Sequence, residues 1–233
     1  MKLNIVYEDS YIIVAEKPPK VPSQKDKTND MDMLSMMKEH LKIAYPKARN
    51  PYIGLVHRLD RPVGGLMIFA KTKEANASLS EQMKNKTFKK EYYAVVCGKP
   101  DKKTGTLKDY LLKTGRINMS KVVSKENKNA KEAILEYEVI DSINTDEDGI
   151  LSLVKINLKT GRHHQIRVQF SNADMPLWGD NKYNKRFVKM KGYTQIALWA
   201  KSIEFIHPKD KKVCKFEIKP HNEYPFNLLS KNQ

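Results

Sequence analysis

An isolated carboxylate stands between two arginines in the stretch VHRLDRPVGGLMIFAKT, residues 56–72. Arg58 and Arg61 flank Asp60, and opposite charges within a few ångströms stabilise the ionised form of a carboxyl group. Two glycines follow, and glycine lets the backbone turn tightly or approach a ligand closely. Such a carboxylate suits a nucleophile or a general base. From these residues alone, a structural ion pair or a turn at the entrance of a strand also explains the pattern.

A second polar stretch, TGRHHQIR at residues 160–167, leads into apolar residues that predict a helix. Arg162, Gln165 and Arg167 crowd the start of this helix, where positive side chains oppose the helix dipole. An anionic group such as a phosphate or a carboxylate would explain them. The two histidines between them are adjacent rather than four residues apart, and no acidic or cysteine cluster accompanies them, so no metal site is predicted.

A pair of adjacent tyrosines forms a third candidate. Tyr92 and Tyr93 lie in KKEYYAVVCG, residues 89–98, where alternating apolar residues predict a strand. Neighbouring side chains of a strand face opposite ways, so one ring can line a site while the other packs in the core or on the surface. An aromatic ring at a binding site holds an unpaired RNA base by stacking. The pattern alone also fits two tyrosines with core roles.

The charge of the chain favours a polyanionic partner. Among 233 residues, 43 lysines and arginines oppose 27 aspartates and glutamates, which gives a formal net charge of +16. Nucleic acid fits this excess best, although an anionic membrane surface or solvated lysine faces also account for it. No segment has the roughly 18 apolar residues of a membrane span. A cytoplasmic location is therefore predicted.

Periodicity indicates the elements that position the candidate residues in the first part of the chain. Residues 5–14 predict two short strands, and residues 20–29 predict a polar, flexible segment. Residues 30–44 predict an amphipathic helix, with Asp30 or Asp32 as the N-cap.

The rest of the chain predicts a sheet with helices. Residues 66–70 predict a buried strand, and Thr72 predicts the N-cap of the next helix. Residues 113–131 and 144–149 predict surface loops. Four further strands with one apolar and one polar face are predicted at residues 92–96, 135–139, 154–158 and 214–218. Such strands are typical of an antiparallel or mixed sheet that is covered on one side, so the predicted fold class is α+β.

Together these stretches resemble the pseudouridine synthases of the RluA-like family, which modify ribosomal and transfer RNA. In chain order, the matching segments are VYEDSYIIVAEKP, HRLDRPVGGLMIFAKT, KKEYYAVVCG, TGRHHQIRVQF with MPLWGDNKY, and LWAKSIEFIHP. The resemblance implies the α+β pseudouridine synthase fold, with a mixed, mostly antiparallel central sheet, flanking helices and a central cleft. The resemblance implies a catalytic domain that acts on rRNA or tRNA. We expect this single domain to cover residues 1–233 without the separate N-terminal RNA-binding domain that many family members carry, and we expect a monomer.

The resemblance implies roles for particular residues. Asp60 is expected to be the catalytic aspartate, Tyr92 the active-site tyrosine, and Arg167 the arginine that pairs with the aspartate. Arg58 matches the arginine that fills the space left by a flipped nucleotide. The predicted contacts to the substrate are Arg58, Arg61, Arg162 and Gln165.

The implied reaction breaks the C1′–N1 bond of uridine, turns the base and joins C1′ to C5. No redox cofactor and no metal are expected, because the product contains the same atoms as the substrate. The reaction needs an ionised carboxylate beside the sugar, either as a nucleophile or as a base at C2′, and the sequence leaves both routes open. A non-catalytic RNA-binding factor and a metal-dependent nuclease or phosphotransferase are the competing hypotheses. The nuclease or phosphotransferase would need clustered carboxylates that the sequence does not show.

Overall fold

A computed structural model describes residues 3–47, 50–115 and 118–229. The described residues form two compact units. The first unit lies within Met1–Lys90 and Ala200–Lys219, and the second within Glu91–Trp199 and Pro220–Gln233.

The described elements are, in chain order, β1 (Asn4–Glu8), β2 (Ile12–Lys17), α1 (Met33–Ala44), β3 (Gly54–Leu55), β4 (Gly64–Ala70), α2 (Lys73–Lys84), β5 (Lys89–Cys97), β6 (Thr104–Thr114), β7 (Met119–Val123), β8 (Lys131–Thr145), β9 (Gly149–Leu158), α3 (Gln165–Asn172), α4 (Lys185–Lys189), β10 (Leu198–Ile206), β11 (Val213–Glu217) and α5 (Phe226–Leu229).

In the first unit, strands β1, β2, β4 and β10 lie side by side in that order, and β11 pairs with β10. Strand β2 pairs with both β1 and β4 in antiparallel register, and the short β3 also pairs with β4. Every residue of β4 is buried, as the run of apolar residues predicts. One face carries a hydrophobic cluster, formed by Ile12, Val14, Leu66, Ile68, Leu79, Phe88, Ile203 and Phe205.

The helices of the first unit begin at the residues that the sequence indicates. The Asp32 carboxylate accepts from the Ser35 backbone N–H at 3.1 Å and caps α1. The Thr72 hydroxyl accepts from the Ala75 N–H at 3.1 Å and caps α2. These bonds satisfy backbone donors that have no partner inside the first turn, so both predicted helix starts are confirmed.

The second unit contains strands in the order β5, β9, β8, β6 and β7, all paired antiparallel. Helix α3 buries Val168 against Leu111 and Ala133 of this sheet. A further apolar cluster contains Tyr93, Val95, Leu151, Leu153 and Ala197. The α+β class and the mostly antiparallel sheet are confirmed, whereas the expected single domain over residues 1–233 stays a prediction.

Three local expectations are corrected by the structure. The predicted loop at residues 113–131 contains strand β7, which pairs with the end of β6 through Met119 and its neighbours. The predicted turn at residues 144–149 is shorter, because β8 continues to Thr145 and β9 starts at Gly149. Residues 21–23 of the predicted flexible segment are buried. The first two corrections come from strand pairing across hairpins, and the third comes from packing of residues 21–23 in the fold.

No helix in residues 3–47, 50–115 and 118–229 is both long and apolar enough to cross a membrane.

Gly65 at the start of β4 provides a test of close backbone packing. Its φ is +120°, and a Cβ built there would lie 2.3 Å from the Ala200 carbonyl oxygen. We expect Gly65→Ala to lower the free energy of unfolding by about 2–4 kcal/mol, from backbone strain and overpacking together. Gly98→Ala is the control, because Gly98 has a φ of +100° but open space around a Cβ. Urea titration compares the two, and equal losses would show that contact with Ala200 adds nothing.

Candidate active site

The loop that carries Asp60, residues 56–63, leaves the sheet between β3 and β4. The pairing of β3 with β4 ends at Leu55 and Phe69. At the next position along β4, the Ile68 N–H donates to the imidazole Nε2 of His57 at 3.2 Å. Burial, together with the charge of Lys90, lowers the pKa of His57 to about 3. At Ile68, the neutral imidazole of His57 thus takes the place of a backbone carbonyl of β3, and the chain leaves the sheet at this point.

The backbone on both sides of Asp60 is held by side chains from earlier in the chain. The Ser23 hydroxyl donates to the Leu59 carbonyl at 2.8 Å and accepts from the Leu59 N–H at 3.0 Å. The Lys17 ammonium donates to the Arg61 carbonyl at 3.0 Å. The Asp60 carbonyl accepts from the Val63 N–H at 2.9 Å, which closes a turn. The loop is therefore fixed immediately before and after the carboxylate.

Lys17 is a fully buried cation beside this loop. Its Nζ donates to the carbonyls of Pro18 at 3.0 Å, Val21 at 2.7 Å and Arg61 at 3.0 Å. Three acceptors match the three N–H donors of an ammonium. Burial lowers the pKa of Lys17 to about 7, while the negative charge of Asp60 acts in the opposite direction. Asp60 and Lys17 are thus electrostatically coupled.

Arg61 reaches back to the polar segment that precedes α1. Its Nε donates to the Lys20 carbonyl at 3.0 Å, and its Nη1 donates to Thr28 Oγ1 at 2.9 Å. The guanidinium also pairs with the carboxylates of Asp26 and Asp30. Arg61 therefore orders this segment in the structure, and its expected contact with substrate stays a prediction.

The other loop arginine, Arg58, is exposed, whereas the next residue, Leu59, is buried. An exposed guanidinium two residues before Asp60 is accessible to a large anionic substrate.

In the second unit, the two tyrosines of β5 differ in their surroundings. Both rings are buried, with 7% of Tyr92 and 6% of Tyr93 exposed. Tyr93 packs in the cluster that contains Val95 and Leu153, on one face of β5. Tyr92 lies on the opposite face of the strand. Tyr93 therefore has a core role, and the contact of Tyr92 with substrate stays a prediction.

Arg167 of α3 lies in a bidentate ion pair with Asp180. Its Nε donates to Oδ2 of Asp180 at 2.8 Å, and its Nη2 donates to Oδ1 at 2.7 Å. Both side chains are buried, at 2% and 0% exposure. Asp180 Oδ1 also accepts from the backbone N–H groups of Lys182 and Tyr183. The anionic group that the sequence indicates near Arg167 is thus, at least in part, a carboxylate of the chain itself.

Gln165 and Arg162 hold the turn before α3. The Gln165 amide oxygen accepts from the Thr160 hydroxyl at 2.8 Å and from the Arg162 N–H at 2.9 Å. Its nitrogen donates to the Ile134 carbonyl at 3.1 Å and to Gln169 at 2.9 Å. Arg162 is exposed, and its Nε donates to the carbonyl of residue 132 at 2.8 Å. Gln165 therefore has a structural part in this turn.

The structure brings some of the predicted residues together and leaves others as predictions. Asp60, Arg58 and Arg61 share one loop of the first unit, and Gln165 and Arg167 share helix α3 of the second. The joint action of Asp60 with Tyr92 and Arg167 stays a prediction. In the residues described, no three His, Cys, Asp or Glu side chains are grouped as metal ligands.

Sequence reasoning missed Lys17, Ser23 and Asp180. Lys17 precedes two prolines at the end of a strand, and Ser23 lies in a segment that reads as polar. Neither position carries a local signal of burial. The motif around Asp180 was noted, but its pairing with Arg167 depends on a chain reversal between the two residues.

A family model described as RNA pseudouridylate synthase matches residues 11–172. The chain belongs to this family. The match includes the Asp60 loop, β5 and helix α3, so the predictions of the RluA-like family and of an RNA pseudouridine synthase, an isomerase, are confirmed.

Individual relatives agree with this family. The chain is 33% identical over 233 residues to ribosomal large subunit pseudouridine synthase C of Buchnera aphidicola subsp. Baizongia pistaciae, covering 98% of this chain and 70% of the relative. It is 30% identical over 225 residues to tRNA pseudouridine synthase C of Haemophilus ducreyi, covering 90% and 87%. The chain spans between 57% and 71% of the length of several other pseudouridine synthase relatives.

A solved structure shows the same fold. Human RNA pseudouridylate synthase domain containing 1 matches with a TM-score of 0.75 and 21% sequence identity, covering 94% of this chain and 84% of the human chain. The predicted pseudouridine synthase fold is thereby confirmed.

Proposed function

We propose that this pseudouridine synthase isomerises specific uridines of rRNA or tRNA, with Asp60 as the carboxylate that acts at the ribose. The main support is the family match over residues 11–172, within which buried Ser23 and Lys17 hold the Asp60 loop in place. A carboxylate on a fixed loop can meet a reacting sugar atom at a set distance, which is a large part of catalysis. The relatives named for ribosomal and transfer RNA support both substrate classes.

The chemistry assigned to Asp60 has two routes. As a nucleophile, the carboxylate bonds to C1′ while the C1′–N1 bond breaks, and C5 of the released base then bonds to C1′ while the bond between Asp60 and C1′ breaks. As a base, it removes the C2′ proton while the C1′–N1 bond breaks and uracil leaves with the bonding electrons, which creates a C1′=C2′ double bond. C5 of the turned base then bonds to C1′ while the proton returns to C2′. In both routes the base turns while it stays bound, the C5 hydrogen leaves as a proton, and N1 takes up a proton, so the product is an isomer of the substrate.

We assign supporting parts to residues of the second unit. Tyr92 presents a ring for the extruded uracil, because Tyr93 is packed in the core. Arg167 supplies a positive charge whose orientation is fixed by Asp180. Gln165 is better assigned to positioning than to RNA contact, since its amide bonds four partners within the protein.

Binding of RNA rests on charge in this proposal. The formal net charge of +16 attracts phosphate without regard to sequence. Arg58, Arg61 and Arg162 are the arginines that we assign to RNA contact. The affinity for RNA is therefore expected to fall steeply with increasing salt.

The proposal also includes a monomer that needs no metal and acts in the cytoplasm. The support for metal-free catalysis is the reaction itself, which neither adds nor removes atoms. Activity in the presence of a chelator tests whether the reaction needs a metal. The mass measured by light scattering tests whether the protein is a monomer.

Pseudouridine mapping tests the function as a whole. Total RNA from a strain that lacks the gene is incubated with the purified protein, and pseudouridine is then mapped at single-nucleotide resolution. New pseudouridine at defined rRNA or tRNA sites supports the proposal and identifies the substrate. Tight RNA binding without any new pseudouridine would favour a non-catalytic RNA-binding factor.

Arg58→Ala tests the proposed support of base flipping. A base inside folded RNA is extruded at a cost of roughly a few kcal/mol, and a guanidinium that fills the vacated space offsets part of this cost. We expect turnover on a structured RNA to fall by about tenfold, equivalent to roughly 1.4 kcal/mol, and turnover on a short flexible RNA to fall less. Arg58→Lys is the control, since it keeps the charge but loses the planar shape. Equal losses on both RNAs would argue against this role.

A further inference from the structure

We propose that Ser23 is a positioning residue for Asp60 in the isomerisation reaction. This inference rests on the function proposed above for the Asp60 loop. It assigns to Ser23 the task of holding the backbone of Leu59, and through it the direction in which the Asp60 carboxylate points.

The hydroxyl of Ser23 makes two hydrogen bonds to one residue. It donates to the Leu59 carbonyl at 2.8 Å and accepts from the Leu59 N–H at 3.0 Å. Leu59 lies outside the described strands, yet only 7% of it is exposed. A single hydroxyl thus supplies both the donor and the acceptor that a neighbouring strand would otherwise provide.

Ser23 is itself held in place by bonds on its own segment. The carbonyl of Val21 accepts from the Lys17 ammonium at 2.7 Å, and the carbonyl of Pro22 accepts from the Met33 N–H at the start of α1 at 2.9 Å. Ser23 is 6% exposed, so water has little access to replace its hydroxyl. The serine is therefore a rigid support and not a mobile surface residue.

Ser23 acts on Asp60 through the peptide bond that joins Leu59 to Asp60. Leu59 is bonded directly to Asp60, so a rotation of the Leu59 backbone moves the Asp60 carboxylate. The turn from Asp60 to Val63 and the bond from Lys17 to the Arg61 carbonyl hold the following residues. Loss of the Ser23 bonds therefore removes the support of the residue immediately before Asp60, while the bond between Ile68 and His57 holds the loop two residues earlier.

Turnover of serine variants tests this inference. Enzyme in excess is mixed with RNA that contains [5-³H]uridine, and release of tritium from C5 reports each turnover, with RNA affinity measured separately by filter binding. We expect Ser23→Ala to lower the single-turnover rate constant at saturating enzyme by about 10- to 100-fold, the scale expected when a reacting group is misplaced by about 1 Å. RNA affinity is expected to stay within about twofold, and Ser23→Thr, which keeps the hydroxyl, is expected to recover most of the rate.

Ser152→Ala is the matched control. Ser152 is fully buried, and its hydroxyl donates to the Gly98 carbonyl at 2.8 Å. Ser152→Ala removes this buried hydrogen bond of the second unit and therefore measures how much stability a purely structural serine contributes. No change in the single-turnover rate constant is expected. Should Ser23→Ala not fold, the nearly isosteric Ser23→Cys, a weak hydrogen-bond donor, takes its place.

The outcomes separate this inference from the proposed function. A wild-type enzyme that releases no tritium from any RNA would contradict the function itself. An active wild type, with Ser23→Ala equally fast, would overturn the role of Ser23 and leave the function intact. The role of Ser23 is also overturned if the rate loss only follows the fraction of unfolded protein, or if Ser152→Ala loses as much.

Discussion

Asp60→Asn is expected to abolish pseudouridine formation, with a loss of at least about 1000-fold in turnover. The amide has nearly the size of the carboxylate, but it neither attacks C1′ as an anion nor accepts a proton from C2′. RNA affinity should stay nearly unchanged, since the variant removes only one negative charge from a strongly basic chain. Tritium release from [5-³H]uridine RNA and filter binding measure the two quantities.

The control for this variant is Asp101→Asn, the same change of charge at an exposed aspartate of the second unit. Asp101→Asn should keep full turnover. If Asp60→Asn retains turnover within tenfold of the wild type, Asp60 is not the catalytic carboxylate.

The stability of Asp60→Asn is expected to depend on pH through the protonation of Lys17. The charge of Asp60 opposes the burial that lowers the pKa of Lys17 to about 7. Removal of this charge is therefore expected to lower the pKa of Lys17 further, so a larger fraction of Lys17 loses its proton near neutral pH. The attraction between Asp60 and Lys17 stabilises the folded protein only while Lys17 is protonated. The melting temperature of Asp60→Asn should thus drop more below pH 7 than above it.

Local patterns in the sequence were sufficient to predict several elements. The cap at Asp32 and the cap at Thr72 are formed within three residues of chain, so the sequence near each helix start contains the whole interaction. The buried strand β4 was evident from its continuous run of apolar residues. The Asp60 loop was recognised because its charged residues are close together in the chain.

Interactions between distant residues could not be predicted in this way. Ser23 is 36 residues from Leu59, and Lys17 is 44 residues from Arg61. A lone serine or lysine in a polar context predicts exposure, and only the fold shows that carbonyl groups surround them. Strand β7 was missed for a related reason, because its few apolar residues form a strand only when β6 lies beside them.

The ion pair between Asp180 and Arg167 also depends on the fold, and its loss is expected to lower the stability of the protein strongly. Asp180→Ala is expected to lower the free energy of unfolding by about 3–5 kcal/mol, because the buried guanidinium of Arg167 loses its bidentate partner. The backbone N–H groups of Lys182 and Tyr183 lose their acceptor in the same variant. Urea titration measures the loss. A change below about 1 kcal/mol would show that the ion pair does not stabilise the second unit.

A double variant separates the structural and catalytic effects of this pair. Arg167→Met combined with Asp180→Leu removes both buried charges, and apolar replacements of similar volume often restore the stability of a buried ion pair. We expect the double variant to recover part of the stability lost in Asp180→Ala, with the backbone N–H groups of Lys182 and Tyr183 still lacking an acceptor. If Arg167 also acts in the reaction, turnover stays low even though the protein is folded. Recovery of both stability and turnover would limit Arg167 to a structural role, whereas recovery of stability alone would place its positive charge in the chemistry.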